Sequence, residues 1–505
     1  MSRSKFFFYN SLSSAAMQVI IMISGFIVPR IMLEYYGSEI NGLVSSIMQF
    51  IGYFRLVEAG LSGAAIYALY TPLANKDYAL VNSIIVAAKE FYHKSGYIFI
   101  GLVLILALIF PFIVDTEILS STSISILVIV LGFSGIFEFL TLAKYRVFLT
   151  ADQKTYIVSI STIAHIVVST VIIVALAKLH TNIVLLKAVA LLSIVFRILI
   201  LYTYTKMRYK YLDFKAKPDY SSLSKRWYAL YLQILGTVQL GAPVIILTIF
   251  LKDLKIVSVY VIFNMVMSGI NNLLGVFISG LAASFGNVIA KGQIDILKKS
   301  FREFEYFYYF LLSLFYAVTF VTIMPFIRIY THGITDISYD LPLLGFLFVL
   351  NGLFYNLKTP EGMLVISAGL FKETSIQTTI QGLIIVIFGV ILVNIYGIYG
   401  VLIASILSNV YRVIDLLIFI PRKLTKTSIK KSVYRILNTF LIIFIVYSLF
   451  SYLAISTESI IDWIRLVIIV SLVCLSLLFL HGYLFEKVEI INLINRFKII
   501  FNFNK

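Results

Sequence analysis

Long uninterrupted apolar runs alternate with short polar segments along the whole 505-residue chain. A helix needs roughly 20 apolar residues to cross the hydrocarbon core of a bilayer, because it rises about 1.5 Å per residue. The runs do not alternate with the period of two that a transmembrane barrel requires. The pattern therefore predicts an all-α polytopic membrane protein with about 14 transmembrane helices. The expected spans are 8–30, 40–68, 96–114, 122–144, 156–177, 182–205, 226–250, 256–286, 305–327, 340–368, 374–395, 398–421, 433–453 and 462–484.

A further amphipathic segment lies between the second and third expected spans. Its apolar residues fall on one side of a helix; they are Leu80, Ile84, Ile85, Ala88 and Phe91. Such spacing is typical of a helix that lies on the membrane surface, and we expect one over residues 78–95.

Composition and charge agree with a lipid environment. Hydrophobic residues make up 60% of the chain and charged residues 13%, whereas soluble domains are about a quarter charged. The net charge of +17 is explained by topology. If the N-terminus is cytoplasmic, most Lys and Arg residues fall in inside segments, as the positive-inside rule requires, and the acidic residues are spread more evenly. We therefore expect both termini in the cytoplasm, and no nucleic-acid partner.

The first six expected spans resemble the next six. Three matches share a nearly constant shift of 217 or 215 residues: Ser62-Gly63 with Ser279-Gly280, Thr150-Ala151 with Ser367-Ala368, and SIVFR (193–197) with SNVYR (408–412). Because each copy has an even number of spans, the copies have the same orientation, a parallel repeat common among transporters.

The repeat divides the chain into four parts. We expect an N-terminal six-helix lobe at 1–206, a basic cytoplasmic linker at 207–225 and a C-terminal six-helix lobe at 226–421. Residues 422–505 would hold helices 13 and 14 and a cytoplasmic tail. The basic runs 206–226 and 422–435 are expected to anchor the protein near anionic lipid.

Charged residues inside spans are costly in lipid and must face protein or water. The candidates are Arg55, Glu58, Glu138, Arg197, Lys358, Glu361, Arg412 and Asp415. Three pairs of opposite sign lie three residues apart, where side chains are neighbours on a helix: Arg55/Glu58, Lys358/Glu361 and Arg412/Asp415. Each pair is either a self-neutralised structural pair or part of a wet cavity. If an ion gradient drives the protein, Glu58 or Glu138 would be the titrating group.

Uncharged polar residues form stripes on the expected spans one and eight. The stripes are Asn10, Ser14 and Gln18 on span one, and Asn264, Ser268, Asn271 and Ser279 on span eight. Polar stripes also follow spans two and seven, and these four spans correspond in the two halves. They predict a hydrophilic cavity between the halves.

The sequence offers little to support catalysis. It contains no phosphate-binding loop and no Cys/His cluster of metal-site spacing. The loops carry no arrangement of a nucleophile with a base. We therefore predict a transporter rather than an enzyme, with no cofactor or metal, although a proton or sodium gradient could drive it.

Residues 29–77, PRIMLEYYGSEINGLVSSIMQFIGYFRLVEAGLSGAAIYALYTPLANKD, resemble the start of bacterial polysaccharide repeat-unit flippases. The resemblance rests on Y-G-x-x-x-x-G-L (36–43) and E-x-G-L (58–61), and VISAGLFKET (365–374) is also similar to the family. These flippases belong to the multidrug/oligosaccharidyl-lipid/polysaccharide (MOP) exporter superfamily. The resemblance implies two six-helix lobes in a V, like that of multidrug and toxin extrusion (MATE) transporters, with two extra C-terminal helices.

The resemblance also implies a function. The protein would carry undecaprenyl-diphosphate-linked oligosaccharide repeat units from the inner to the outer leaflet of the bacterial cytoplasmic membrane by alternating access, for capsule or other surface polysaccharide. A cationic cavity would bind the pyrophosphate through Arg30, Arg55, Arg197, Lys358 and Arg412, with Glu58 partly cancelling the charge. Sugar hydroxyls would contact Gln18, Asn264 and Asn271.

Alternatives stay open within and beyond this superfamily. They are a flippase of lipid II or teichoic-acid-type precursors, a MATE-type drug or cation antiporter and, more remotely, a membrane-embedded enzyme. The expected partners are the lipid-linked oligosaccharide, membrane lipids, and a polysaccharide polymerase with glycosyltransferases. The protein is expected to be a monomer.

Overall fold

A computed structural model describes residues 3–221, 227–278, 281–453 and 457–500, and these residues are mostly helical. The helices are α1 (Arg3–Phe54), α2 (Leu61–Asn75), α3 (Tyr78–Ile113), α4 (Ser121–Phe137), α5 (Ala143–Ala151), α6 (Thr155–Lys178), α7 (Ile183–Leu191), α8 (Ile194–Arg208), α9 (Trp227–Ile246), α10 (Leu254–Ile278), α11 (Leu281–Ala290), α12 (Ile294–Tyr330), α13 (Pro342–Leu357), α14 (Thr359–Ala368), α15 (Ser375–Tyr396), α16 (Ile398–Ile420), α17 (Ile429–Leu453), α18 (Ile460–Phe485) and α19 (Lys487–Ile500). Short irregular turns interrupt them, namely a 3-10 turn at Arg55–Glu58 and π-helical turns at Glu138–Leu142, Leu247–Leu251 and Pro421–Thr425.

The predicted all-α membrane class is confirmed. Within the described residues, 12 helices are long and apolar enough to cross a membrane. The count of 14 stays a prediction. Two expected spans lie in one candidate, Phe8–Asn75, and the expected span 340–368 is divided into α13 and α14 at Lys358.

Large apolar side chains cover the outer surface of the helices. Phe112 on α3 is 85% exposed, and Phe444 on α17 and Leu472 on α18 are 66% and 60% exposed. A soluble monomer rarely leaves apolar surface of this extent in water. Lipid is the solvent that such a surface requires, and the chain is a multi-pass membrane protein.

The predicted surface helix at 78–95 is wrong as a separate element. The segment is the first half of α3, a continuous helix of 36 residues. At about 1.5 Å per residue, α3 is roughly 54 Å long, far more than the 30 Å hydrocarbon core. Its predicted apolar face packs against protein instead of lipid, since Ile84, Ile85 and Ala88 are buried.

The described start of the basic linker folds along the first turns of α3. The Asn82 side chain donates to the carbonyl of Tyr211 at 2.9 Å and accepts from the amide of Asp213 at 3.2 Å. The amide of Asp219 donates to the carbonyl of Ser83 at 3.1 Å. The backbone of the linker is therefore held to α3 through the Asn82 side chain and the Ser83 carbonyl. Residues 222–225 of the linker lie outside the described residues.

The described chain forms two compact units, residues 1–261 and 262–505. In the first unit α1 packs against α6 and α9, and α2 packs against α3 and α5. In the second unit α12 packs against α13, α17 and α18, and α15 packs against α16. The lobe boundaries expected from the sequence repeat stay a prediction, as does the match at Ser279-Gly280, which lies outside the described residues.

One buried contact inside the first unit joins residues that are 217 positions apart. The Asn41 side chain on α1 donates to the hydroxyl of Ser258 on α10 at 2.8 Å, and both groups are buried. The bond fixes α1 against the start of α10, and the repeat itself stays a prediction.

The two glycines of the Y-G-x-x-x-x-G-L segment have separate structural reasons. Gly37 has φ of 79° and interrupts the helical geometry of α1, a conformation that residues with a Cβ rarely adopt. Gly42 lies against the start of α10, where a Cβ would come 1.8 Å from the carbonyl oxygen of Leu254. The segment that carries the family resemblance therefore encodes a bend and a close helix contact.

We expect Gly42→Ala to lower the free energy of unfolding by about 1–3 kcal/mol, because overpacking forces the two backbones apart. The matched control is Gly25→Ala on the same helix, where an added Cβ meets nothing within 4 Å. Thermal unfolding of the purified variants in detergent measures the difference. Equal midpoints for the two variants would show that α1 and α10 do not pack this closely.

Candidate functional site

Four charged side chains form a chain across the first unit. Arg197 on α8 contacts Glu138 at 2.8 Å. The other oxygen of Glu138 contacts Arg146 on α5 at 3.2 Å, and Arg146 also contacts Glu58 at 3.3 Å. Positive and negative groups alternate, so this part of the site is neutral as a whole.

Both carboxylates lie at places where the backbone departs from the α-helix. Glu58 ends the 3-10 turn after α1, and Gly60 with φ of 77° then starts α2. Glu138 is the first residue of a π-helical turn between α4 and α5. Such turns widen or tighten the backbone and commonly mark functional positions. Here they direct two carboxylates from different helices toward the same arginine, Arg146.

Arg55 is the cation that remains outside this neutral chain. It is exposed at the same 3-10 turn, and its guanidinium donates to the Ser134 hydroxyl at 3.4 Å. Close by, the Gln233 side chain accepts from the amide of Gly60 at 3.3 Å. Among the described residues Arg55 has no carboxylate within ion-pair distance. The first unit therefore presents one uncompensated positive charge at its broken helix.

In the second unit a cation also lies at a break between two helices. It is Lys358, at the junction of α13 and α14. Its ammonium group donates to the Asn409 side chain at 2.9 Å and lies 4.4 Å from the ring centroid of Tyr355. Asn409 in turn donates to Asn351 at 2.9 Å. The described residues place no carboxylate within ion-pair distance of Lys358, and its ammonium group is engaged by the Asn409 side chain and the Tyr355 ring.

The local pairs expected from the sequence are present only in part. Arg412 does contact Asp415, at 2.6 Å. The other two pairs make no ion pair of their own among the described residues, because Glu58 contacts Arg146 and Lys358 contacts Asn409; whether they belong to a wet cavity stays a prediction. A spacing of three residues permits a contact, but side chains from other helices compete for it.

Arg197 and Arg412, which the sequence repeat predicts to be equivalent, share one property. Arg197 is neutralised by Glu138 from another helix, and Arg412 by Asp415 on its own helix. Both side chains are largely buried. They therefore act first as structural ion pairs, and the positive surplus rests on other residues.

The remaining candidates serve different parts of the fold. Arg30 lies 3.6 Å from Glu34, one turn along α1. Asn271 accepts a hydrogen bond from Asn356 at 2.7 Å inside the second unit. Gln18 is exposed on α1 and Asn264 is half-buried on α10. Ser279 of the expected stripe lies outside the described residues.

The sequence did not indicate Arg146 or Arg435, although each is the centre of an ion cluster. Arg146 falls just beyond the expected span 122–144, and Arg435 ends the basic run 422–435, whose charges are expected to lie near anionic lipid. A signal for Arg146 was present, because Glu58 and Glu138 are two carboxylates in spans and buried carboxylates need a cation.

Arg435 connects α12, α17 and α19 in the second unit. Its guanidinium contacts Glu305 at 2.7 Å, Glu486 at 2.9 Å and Glu489 at 3.5 Å. The side chain is 3% exposed. Burial would raise the pKa of Glu489, but its hydrogen bond with Lys431 outweighs burial and holds that pKa below its usual range.

We expect Arg146→Met to lower the free energy of unfolding by about 1–3 kcal/mol, since it leaves two part-buried carboxylates without their shared donor. Arg146→Lys should restore only part of the loss, because an ammonium group lacks the planar fork that reaches both partners. The control is Arg465→Met, which removes an exposed pair, Arg465 with Asp462 at 3.6 Å, worth about 0–1 kcal/mol. Thermal unfolding in detergent distinguishes the three variants, and equal losses for Arg146→Met and Arg465→Met would contradict the cluster.

The described helices share their fold with solved structures of a flippase and of MATE transporters. One solved structure is described as "Lipid II flippase MurJ, inward closed conformation"; it superposes with a TM-score of 0.66 and 16% identity, over 93% of this chain and 98% of that one. An inward-facing multidrug resistance MATE family transporter of the MOP superfamily gives 0.66 and 15%, over 83% and 99%.

A third structure, a MATE protein in the bent conformation, gives a TM-score of 0.56 and 14% identity over 84% of this chain and 97% of that one. At these identities the comparison establishes the fold alone. No family model matches the sequence, and the search of curated proteins found no match.

Proposed function

We propose that this protein is a flippase that moves undecaprenyl-diphosphate-linked oligosaccharide repeat units from the inner to the outer leaflet of the bacterial cytoplasmic membrane. The product would feed the biosynthesis of capsule or another surface polysaccharide. The protein would act without a cofactor and would work beside glycosyltransferases and a polysaccharide polymerase.

The observation that carries this proposal is the positive charge of Arg55 at a broken helix, the 3-10 turn between α1 and α2, where no ion pair of Arg55 is found among the described residues. Within the second unit, Lys358 at the junction of α13 and α14 is a further candidate. A pyrophosphate offers several acceptor oxygens, which suits both a guanidinium and an ammonium group. A cationic drug would need the opposite arrangement, a free carboxylate, and the carboxylates of the first unit's ion cluster are already paired with arginine.

The share of the chain that superposes on the lipid II flippase gives further support to a lipid-linked substrate. The likeness to the lipid II flippase extends over 93% of this chain, against 83% for the inward-facing MATE transporter. The same observation favours a second candidate, a flippase of lipid II or a teichoic-acid-type precursor. The headgroups of the two candidates share the diphosphate and differ in the sugars.

A leaflet assay in proteoliposomes tests the proposal. Defined undecaprenyl-diphosphate oligosaccharide is incorporated, and a membrane-impermeant glycosidase reports the fraction that reaches the outer leaflet. Parallel arms carry lipid II and a cationic dye. Faster translocation of the oligosaccharide than of both alternatives is the expected result. Transport of the dye alone would overturn the flippase assignment, and preference for lipid II would favour the second candidate.

Coupling to an ion gradient is a separate part of the proposal. Glu58 and Glu138, the groups expected to titrate, are both held by Arg146 in the structure. The same proteoliposomes, prepared with imposed proton or sodium gradients, show whether translocation responds. Equal rates with and without both gradients would contradict coupling.

A further inference from the structure

An apolar pocket lies between the end of α10 and the helices α11, α12 and α19 of the second unit. Its volume is about 350 Å³, within the range of roughly 300–1,000 Å³ that is typical of pockets for small ligands. The rings of Phe277 and Phe307 have centroids 6.0 Å apart, and those of Phe285 and Phe304 are 5.8 Å apart. These four rings all line the pocket, so its walls are packed side chains of three helices.

Polar contacts fix the fourth wall, α19, to the rest of the unit. Glu489 on α19 lies 3.5 Å from Arg435 on α17 and also contacts Lys431. Asn492 on α19 donates to Glu303 on α12 at 3.5 Å. Both α19 side chains line the pocket, and the arginine that holds one of them is 3% exposed. The pocket is therefore closed by an anchored helix.

A second, basic pocket adjoins the apolar one. Its volume is about 360 Å³, and it shares the side chains of Glu303, Glu489 and Asn492 with the apolar pocket. Its cations come from the first turns of α12; they are Lys298, Lys299 and Arg302. Residues three apart are neighbours on a helix, so one anionic group can contact both Lys299 and Arg302.

Two of these three cations are not neutralised by the described residues. Lys298 pairs with Asp295 at 3.7 Å, and the other two carboxylates of the pocket have the contacts just given. The side chains of Lys299 and Arg302 are exposed, and no ion pair is found for either among the described residues. The basic pocket can therefore bind an anion.

The position of the two pockets along α12 indicates the kind of ligand. The helix has 37 residues and is roughly 55 Å long, so it extends well past the hydrocarbon core of about 30 Å. The basic residues lie in its first turns, and the phenylalanine rings of the apolar pocket follow within about two turns. This is the order of a charged headgroup layer and the acyl layer beneath it.

We propose that the two pockets together bind one anionic phospholipid. An acyl chain would lie among the phenylalanine rings, and the phosphate would contact Lys299 and Arg302. A small soluble anion would use the cations and leave the apolar pocket empty. A zwitterionic phospholipid would bring its own positive charge next to the two cations, so an anionic one is favoured. Because the lipid would touch α11, α12 and α19 at once, it would also stabilise their packing.

Native mass spectrometry of the purified full-length protein tests the site. The protein in detergent is titrated separately with palmitoyl-oleoyl phosphatidylglycerol, with phosphatidylcholine of the same chains and with undecaprenyl phosphate. Phosphatidylglycerol should bind most tightly, and Lys299→Gln/Arg302→Gln should weaken its binding by about tenfold or more, since hydrogen bonds to a charged group are lost. The control, Lys215→Gln/Lys217→Gln, changes the net charge equally at exposed positions of the linker.

A second variant tests the apolar pocket and leaves both cations in place. Ser284 is an exposed residue of α11 that lines this pocket, so the indole of Ser284→Trp should fill it and reduce binding of phosphatidylglycerol. Its matched control is Ala283→Trp, at the exposed neighbouring position that does not line the pocket. The thermal unfolding midpoint should rise with phosphatidylglycerol in the wild type and both controls, and less in the two site variants.

Three results would overturn the proposal. They are equal binding of phosphatidylglycerol and phosphatidylcholine, wild-type affinity in either site variant, and tighter binding of undecaprenyl phosphate than of phosphatidylglycerol. Because the two site variants are independent, failure of one to fold leaves the other as a test. None of the measurements depends on translocation, so failure of the flippase assignment does not affect them.

Discussion

Arg435→Ala is expected to lower the free energy of unfolding by about 3–5 kcal/mol, the usual cost of removing one partner from a buried ion cluster. Arg435 is 3% exposed and contacts the carboxylates of Glu305, Glu486 and Glu489. Its removal leaves these negative charges close together with little water to screen them. The measurement is thermal unfolding of the purified protein in detergent at neutral pH.

The control is Arg328→Ala. Arg328 contacts Asp340 at 2.9 Å, a distance similar to those around Arg435, but both side chains are 53% exposed. Exposed pairs contribute about 0–1 kcal/mol, so burial is the main difference between the two experiments. In addition, Glu486→Gln should recover part of the stability that Arg435→Ala loses, because it removes one uncompensated charge. If Arg435→Ala costs no more than Arg328→Ala, the buried cluster does not stabilise the fold.

Arg55→Glu is expected to abolish translocation of a diphosphate-linked oligosaccharide while the protein still inserts and folds. A hydrogen bond to a charged group is worth about 1.5–3 kcal/mol, so its loss alone predicts at least a roughly tenfold lower rate, and the new negative charge adds repulsion. Folding should be preserved because Arg55 is exposed and has a single long hydrogen bond, to Ser134. The proteoliposome leaflet assay measures the rate.

The control for charge reversal is Lys178→Glu, at an exposed position at the end of α6. It changes the net charge by the same amount far along the chain from the broken helix. Arg55→Lys should retain part of the activity, because it keeps the charge and loses the planar geometry. Translocation at the wild-type rate by Arg55→Glu would remove Arg55 from the proposed headgroup site.

The sequence predicted the class of the fold because lipid imposes a simple rule. Every span must be helical and apolar over roughly 20 residues, and this length is visible in the runs of residues. The pattern was less informative where helices extend past the bilayer. Residues 78–95 have the spacing of a surface helix, but α3 continues without interruption to Ile113, and its apolar face is covered by protein.

At the candidate site, too, the sequence identified the charged residues but not their partners. The sequence correctly singled out Glu58, Glu138 and Arg197 as charges that need partners inside the membrane. It could not assign those partners, because the contacts of Glu138 lie on α5 and α8. Local spacing suggested Arg55 for Glu58, but a helix neighbour is only one of several competitors once the bundle is packed.

What the sequence determined by itself was the solvent and the helical class. Both follow from local hydrophobicity and from the length of the apolar runs, which do not depend on how the helices pack. Only the tertiary structure decided which charges are neutralised. Arg146 and Arg435 contact carboxylates from helices that are far apart in sequence, and Arg55 has no ion pair among the described residues. The energy of a buried charge depends on what lies within a few ångströms, and that neighbourhood exists only after folding.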